Sequence, residues 1–313
     1  MARSIAQRLV ATGAVVAAGS LLLTGCGSSK IGGNSGAAPN ASQTVNAEGT
    51  DAALVALLPA DIKAKGNLTI ATDSTYAPDE FKDAGGNVVG MDVDLGNAIL
   101  KKLGLTATWQ SADFGSILGG ISAKKYDLSL SSFTDTKARE AQVDLVQYFN
   151  AGEAIAVLAG NPDKVDGNAA NLCGFKVSVQ SNTTESDEIK NTINPACKKA
   201  GKPTVPNDGD QFAAQTDATT ALTSKRDQAM MADSPVIDYA VKQSNGVLQK
   251  IGQNYNNAPY GIVVPKGSAL GQAIAGALKD LIADGTYGQI LTKWGVDSGA
   301  ITADKVVLNG ATS

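Results

Sequence analysis

Apolar and polar positions change their period several times along the chain, and each change marks an element. Residues Asn67 to Asp73, NLTIATD, alternate as a half-buried strand does. The run breaks at STYAPDEF, a turn that contains Pro78. DAGGNVVG then predicts a hairpin turn and a short strand. DLGNAILKKLGL repeats Leu95, Ile99, Leu100 and Leu103 at helical spacing up to Gly104, a residue suited to ending a helix. TATWQ predicts a strand, FGSILGGISAKKY a helix, and DLSLSS another strand. AGEAIAVLAG (Ala151 to Gly160) is apolar between glycines and reads as a strand leaving this first group. A second alternating series runs from FKVSVQ to GVLQKI, and PYGIVVPKG (Pro259 to Gly267) predicts a returning strand. Residues 268–285 form an amphipathic helix: Ser268 caps it, Leu270, Ile274, Leu278, Leu281 and Ile282 share one face, and Gly285 stops it. Upstream, DAALVALLPADIKAKG (Asp51 to Gly66) predicts one short helix packed on the body. Strands alternating with helices imply an α/β fold with parallel strands, and in such sheets ligands sit at the carboxyl ends of the strands.

The first residues follow a different logic. Arg3 and Arg8 precede an apolar run, Leu9 to Leu23, which is short and rich in small residues. It ends in Leu23-Thr24-Gly25-Cys26, which resembles a bacterial lipoprotein cleavage box; an ordinary secretory signal with an incidental cysteine is the alternative. The resemblance implies a signal peptide over 1–25, a lipidated Cys26 as first mature residue, and a protein anchored on the extracytoplasmic face of the cell membrane. Residues 26–50 are Gly, Ser, Asn and Ala with almost no large apolar side chain, a composition that cannot bury enough surface to fold and that predicts a flexible tether.

Composition narrows the chemistry. The 313 residues suffice for two lobes, and 43% hydrophobic with 18% charged residues fits a globular body. A net charge of −4 without a basic tract argues against nucleic-acid binding. Histidine is absent, which removes Ser-His and Cys-His catalysis and His-ligated zinc. No metal, cofactor or catalytic constellation is expected. Besides Cys26 the chain has Cys173 and Cys197. In a secreted location they can pair, which would stabilise by ~3–4 kcal/mol; two free buried thiols are the alternative.

One stretch concentrates polar donors. SLSSFTDTKAREAQVDLV (Ser129 to Val146) crowds hydroxyls in front of a single arginine, Arg139, just inside a predicted helix. A planar guanidinium matches a carboxylate in two hydrogen bonds, and a helix N-terminus adds N–H donors. A capped helix with a solvated arginine is the other reading. Further on, the apolar run Ala229–Ala232 ends in Asp233, followed by Ser234-Pro235. That pattern is a buried strand with an acid at its carboxyl end, or a helix N-cap. VQSNTTESDE (Val179 to Glu188) reads as a strand-to-helix loop in which Thr184 and the following acids make a cap.

Taken together these segments resemble the family 3 solute-binding proteins of ABC transporters, which bind polar amino acids. The likeness extends from about Lys65 to Val296, and its core is GMDVDLGNAILKKL (Gly90 to Leu103). Asp92, Val93, Asp94, Leu95, Ile99 and Leu103 fit the family pattern, while Met91 and Leu100 depart mildly from it. The resemblance implies a type II periplasmic-binding-protein-like fold: two α/β lobes joined by two crossover strands, with the ligand in the inter-lobe cleft. Lobe I would comprise 51–152 and 258–313, and lobe II 153–257, with crossings near Asn150–Ala156 and Asn256–Ile262.

It also implies roles. Ser132 and Thr134 would donate to a ligand α-carboxylate that Arg139 clamps, Asn182 and Thr183 would contact the same carboxylate, and Asp233 would receive the α-ammonium. Asp73 would meet a polar or cationic side chain, and Tyr76 would cover the ligand. Asp79 stands where many members carry Phe, so it either adds a carboxylate that favours arginine, lysine or ornithine, or faces solvent. The implied function is capture of an L-amino acid by a monomer and delivery to ABC permease and ATPase subunits. A cyclohexadienyl-dehydratase-like enzyme with Asp73, Asp79 or Glu80 as general acid, or an amino-acid sensor module, are the alternatives on the same fold.

Overall fold

The computed structural model describes residues 49–312. The signal peptide, the Cys26 lipidation site and nearly all of the tether lie outside the described residues. The strands in chain order are β1 (Asn67–Thr72), β2 (Thr75–Tyr76), β3 (Glu80–Lys82), β4 (Val88–Val89), β5 (Thr106–Ser111), β6 (Leu128–Ser129), β7 (Val143–Leu158), β8 (Val177–Gln180), β9 (Asp210–Phe212), β10 (Ala229–Asp233) and β11 (Leu248–Pro265). Eight of them make one mixed sheet in the order β5-β1-β6-β11-β7-β10-β8-β9, and β2, β3 and β4 make a small second sheet.

At one end of the sheet β1 runs parallel to β5 and β6. At the other end β10 runs parallel to β8, and β8 to β9. β7 and β11 lie antiparallel between the two ends and pair along most of their lengths of 16 and 18 residues. They are the only elements of the sheet that serve both ends. Each end carries its own core. Leu68, Ile70, Leu95, Ile274 and Leu278 pack with the helices Met91–Lys102, Leu270–Ala283 and Thr286–Trp294 on the first. Val177, Val179, Ile189, Cys197 and Met231 pack on the second. Full burial of each large aliphatic side chain stabilises by ~1.5–3 kcal/mol, and the separate clusters at the two ends define two lobes sharing one ribbon.

The sequence reads GVLQKI and PYGIVVPKG as separate strands, whereas the chain keeps them in one strand, β11. The residues between them, Gly252 to Ala258, include three asparagines and look like a loop. They nevertheless stay on the ladder at Tyr255↔Glu153 and Ala258↔Ala151, with register shifts on either side. Asn256 absorbs the irregularity at φ 49°, a conformation asparagine tolerates better than most residues. Gly152 faces this bend, and a Cβ there would stand 2.5 Å from Asn257 Oδ1 and 2.9 Å from Tyr255 O. Bulged, irregular pairing is where a shared ribbon can bend.

Other expectations need smaller corrections. Pro59 divides the single helix expected over residues 51–66 into Ala52–Leu57 and Ala60–Lys65, because it has no N–H to continue the first. Asp51 caps the first piece, accepting from Ala53 N at 2.7 Å and Leu54 N at 3.1 Å. The helix expected over 268–285 spans Leu270–Ala283, with Leu270 N donating to Ser268 Oγ at 3.2 Å and Gly285 at φ 83° beyond its end. Cys173 and Cys197 are joined in a disulfide in lobe II, Cys197 fully buried. Among the described residues no helix is long and apolar enough to cross a membrane.

Candidate functional site

The polar residues singled out above arrive at one place because each follows a parallel strand. β1 leads to Asp73, β6 to Ser131 through Thr134, β8 to Gln180 through Thr184, and β10 ends at Asp233. Those carboxyl ends face each other across the cleft between the lobes, so donors and acceptors far apart in sequence converge.

Arg139 sits in the short helix Lys137–Glu140, whose N-cap Thr136 accepts from Arg139 N at 3.3 Å. Its Nη1 donates to Thr134 O at 2.8 Å, and its Nη2 donates to Asn182 O, on the opposite lobe, at 3.2 Å. The guanidinium carbon lies 5.4 Å from the Phe114 ring centre and 5.2 Å from that of Phe133, two rings stacked at 4.3 Å. The aromatic pair and the two carbonyls fix the plane of the guanidinium. Only two of its five N–H donors are used by protein atoms, which leaves edges for an anion. Thr134 forms a bridge with Tyr260 flanked by hydrogen bonds from Asp135 N to Pro259 O (2.8 Å) and Gly261 N to Phe133 O (2.8 Å). In such a pair the Thr134 N–H turns away from β11.

Asp233 lies across from Arg139. It occupies the N-cap position of the helix Ser234–Gln243 but makes no side-chain cap bond. Its Oδ2 accepts instead from Tyr76 OH at 2.8 Å, a contact that links the lobes. Burial pushes its carboxyl up to about 6, against the Tyr76 and Tyr260 hydroxyls and the Arg139 charge, which favour the ionised form. Asp73 spans the lobes as well: Oδ1 accepts from Thr75 Oγ1 at 2.7 Å, and Oδ2 from Gln180 Nε2 at 2.7 Å and Phe114 N at 3.2 Å. Burial raises its pKa, partly offset by those donors.

Three expected contacts are placed differently. Ser132, at φ 48°, gives its N–H to Asp92 Oδ2 (3.1 Å) and its hydroxyl to Asp79 Oδ2 (3.1 Å), with Glu80 Oε2 at 3.4 Å. Its donors are taken by buried carboxyls, although the residue itself borders the cleft beside Glu80. Asp79 is wholly buried and is not on the cleft wall. The turn before it is pinned under the next helix: Asp92 N donates to Asp79 O at 2.9 Å, and a Cβ at Gly90 would lie 2.0 Å from that oxygen. Asn182 contributes its carbonyl to Arg139, while its side chain packs against Gly115, where a Cβ would come within 2.4 Å of Nδ2. Thr183, and not Thr184, caps the helix Thr184–Glu188, accepting from Ser186 N at 3.3 Å.

The wall also holds residues that sequence reasoning did not single out: Phe114, Ser131, Gln180, Glu185 and Glu80, the last weighed only as a catalytic acid. Glu80 accepts from Ser131 Oγ at 3.1 Å, and Ser131 Oγ accepts from Asp73 N at 2.8 Å. Asp92 accepts from Tyr148 OH at 2.7 Å. Burial first, then the neighbouring carboxyls, push Asp79 and Glu80 well above the carboxylate range, and burial holds Asp92 at about 6. A glutamine at the carboxyl end of the buried strand VSVQ was the available signal for Gln180. Asp73, Tyr76, Glu80, Arg139, Gln180 and Asp233 enclose about 10 Å³, and a cavity of about 480 Å³ opens beside them, sharing Thr134, Thr184 and Asp233.

A two-lobed α/β protein with one guanidinium and one carboxylate opposed in its cleft is built as a binding protein for a small zwitterion. Residues 68–297 match the bacterial extracellular solute-binding proteins, family 3, and the chain belongs to that family. It is 32% identical to the arginine-binding protein ArgT of Corynebacterium glutamicum over 255 residues, covering 81% of this chain and 82% of that protein. Among solved structures it resembles an ancestral arginine-binding protein bound to arginine, at 35% identity and a TM-score of 0.66, covering 73% of this chain and 98% of the other. It also resembles AncCDT-1, an ancestral amino acid-binding protein and precursor of cyclohexadienyl dehydratase, at 30% identity and a TM-score of 0.65, covering 75% and 97%.

Proposed function

We propose that this protein captures an L-amino acid with a cationic side chain, arginine foremost, and presents it to the permease and ATPase subunits of an ABC importer. The observation that carries the proposal is the opposition of Arg139 and Asp233 across the cleft, with Asp73 and Glu80 on the same wall. The α-carboxylate meets the free edge of Arg139 and the Thr134 N–H. The α-ammonium meets Asp233, and the side chain extends toward Asp73 and Glu80. Thr183 and Tyr76 border the same space. Charge-assisted hydrogen bonds contribute ~1.5–3 kcal/mol each, enough after closure costs for a micromolar or tighter complex, about −8 kcal/mol at 1 μM.

The contacts Tyr76–Asp233, Asp73–Gln180 and Gln215 N to Thr75 Oγ1 (3.0 Å) tie the lobes together around this small space. Ligand entry requires them to part, and the bent ribbon of β7 and β11 is where the lobes hinge. We place lobe I at 51–152 and 258–313 and lobe II at 153–257. Cys26, lipidated, holds the protein on the extracytoplasmic face of the membrane through the 26–50 tether.

The likeness to AncCDT-1 and the buried Glu80, on the wall with a raised pKa, favour one other reading, dehydration of a cyclohexadienyl substrate with Glu80 as acid. A thermal-shift panel of amino acids on refolded, ligand-stripped protein tests the first reading, and incubation with prephenate or arogenate tests the second. Stabilisation by arginine, lysine or ornithine without turnover supports capture. Turnover without amino-acid binding replaces it.

A further inference from the structure

Arg139 rides on the helix Lys137–Glu140, a single turn of 4 residues. So short a helix does not hold itself, because fixing its first turn costs more than the hydrogen bonds of that turn return. Its position is set by what touches its ends. The carboxyls of Asp135 and Glu140, 2% and 8% exposed, stand on either side of the turn. Each accepts a backbone N–H from the end of the chain: Gly310 N donates to Asp135 Oδ2 at 3.1 Å, and Ala311 N donates to Glu140 Oε1 at 2.8 Å. Gln147 Nε2 donates to the same Asp135 oxygen at 2.9 Å. Lys137 Nζ reaches Glu140 Oε2 at 2.9 Å, and Lys266 Nζ reaches Glu140 O at 2.6 Å.

The tail that brings these donors is itself fixed. It follows residue 297, where the match to the family ends, and runs along the part of β7 that β10, paired with residues 153–156, does not reach. Leu308 bridges Val146, Gln147 N donates to Val307 O at 2.9 Å, and Asn309 N donates to Leu145 O at 2.8 Å. The Asn309 side chain accepts from Leu145 N at 2.9 Å and donates to Asp144 Oδ1 at 2.8 Å. Gly310 then crosses Gln147 closely, and a Cβ there would stand 2.7 Å from Nε2. Thr312 reaches the wall of the larger cavity, beside Thr134, Asp135 and Thr136. We propose that the tail positions the ligand clamp: through Asp135 and Glu140 it holds the turn that aims Arg139, a role that rests on the amino-acid reading above. Glu140 is then a positioning residue, which touches no ligand and acts through Arg139. Because the donors are backbone N–H groups, no side-chain pattern in the tail announces the contact.

Glu140→Ala removes the acceptor, Ala311→Pro removes the N–H, and a chain that stops at Asn309 removes both donors. Glu140→Gln keeps an acceptor for Ala311 N. Hydrogen exchange of the ligand-free proteins is read over residues 136–142 against β1 and β10. The same proteins are then titrated calorimetrically with L-arginine and with agmatine, which keeps the ammonium and guanidinium of arginine but lacks the carboxylate that Arg139 holds. In the first three variants, exchange over 136–142 should rise at least about tenfold while β1 and β10 keep their rates. Arginine should weaken at least about tenfold in them and agmatine by less than about threefold, with Glu140→Gln close to the wild type for both. A tail that merely stabilises lobe I would speed exchange in β1 as well and weaken both ligands alike, and that result overturns the proposal. So does unchanged exchange over 136–142 in all three variants. Arginine affinity that all three retain rejects the positioning role and leaves the amino-acid reading intact. Faster exchange over 136–142 without arginine heat in the wild type keeps the hold of the tail on the turn and rejects the amino-acid reading.

Discussion

The cleft holds two sets of buried carboxyl groups in contrasting company. On lobe I, Asp79, Glu80 and Asp92 crowd together and accept from hydroxyls of Ser131, Ser132 and Tyr148, with Asp79 Oδ1 left without a partner and no cation among them. On lobe II, Asp233 and Glu185 lie near a single guanidinium, Arg139, reaching over from lobe I. Hydroxyl donors let crowded acids persist only by keeping protons, and the pKa values of Asp79 and Glu80 rise accordingly. Against its burial, Asp233, at about 6, is held nearer ionisation by the Tyr76 and Tyr260 hydroxyls together with the Arg139 charge, while burial and Asp233 still push Glu185, beside the same guanidinium, up to about 8. The lobe II set, with Arg139, is therefore fitted to the fixed charges of an α-amino acid. The lobe I set presents one accessible carboxyl, Glu80, to whatever side chain the ligand carries.

This contrast can be broken experimentally. The largest effect is expected from Arg139→Ala, which leaves a ligand carboxylate buried without its cation and should cost about 2–5 kcal/mol of binding by calorimetry; a loss under threefold would remove Arg139 from the site. Next comes pH. The ligand ammonium needs Asp233 ionised, so affinity should fall as pH drops through about 6, by up to about tenfold per unit, and Asp233→Asn should flatten that profile. Ligand-free stability should move the other way. Asp92 and Asp233 have pKa values raised from 3.8 to about 6 in the fold, so their contribution is full below the lower value and lost as pH rises through the higher one. Thermal melts across that range read it directly.

Glu80→Gln should weaken arginine by roughly 1–2 kcal/mol while sparing glutamine, since a cationic side chain displaces the proton that Glu80 keeps in the free protein and pairs with the carboxylate left behind; equal losses for both ligands would mean that Glu80 is structural. The smallest effect on binding belongs to Asp79→Asn, with affinity within about threefold. Because burial and Asp92 both disfavour its charged form, this substitution should raise the melting temperature more at alkaline than at acidic pH.

Periodicity made the α/β alternation, the helix before Gly285 and the strand ends legible, because each buries a face that must repeat. Asp233 was legible as an acid closing the apolar run Ala229–Ala232, and Arg139 as an arginine just inside a helix behind a cluster of hydroxyls, with their pairing supplied by the family resemblance. The roles of Ser132 and Asp79 were not. A backbone at φ 48° turns the Ser132 donors inward, and the turn before Asp79 is pinned beneath a helix that begins at Met91, twelve positions after Asp79. The continuity of β11 was hidden for a similar reason. Its asparagine-rich middle resembles a loop until β7 supplies the partner that keeps it on the ladder.

The most direct test is calorimetric titration of ligand-stripped protein with L-arginine near neutral pH. A single site of micromolar or tighter affinity, about −8 kcal/mol or better, is expected. Absence of heat with arginine, lysine, ornithine and the neutral polar amino acids alike would contradict it.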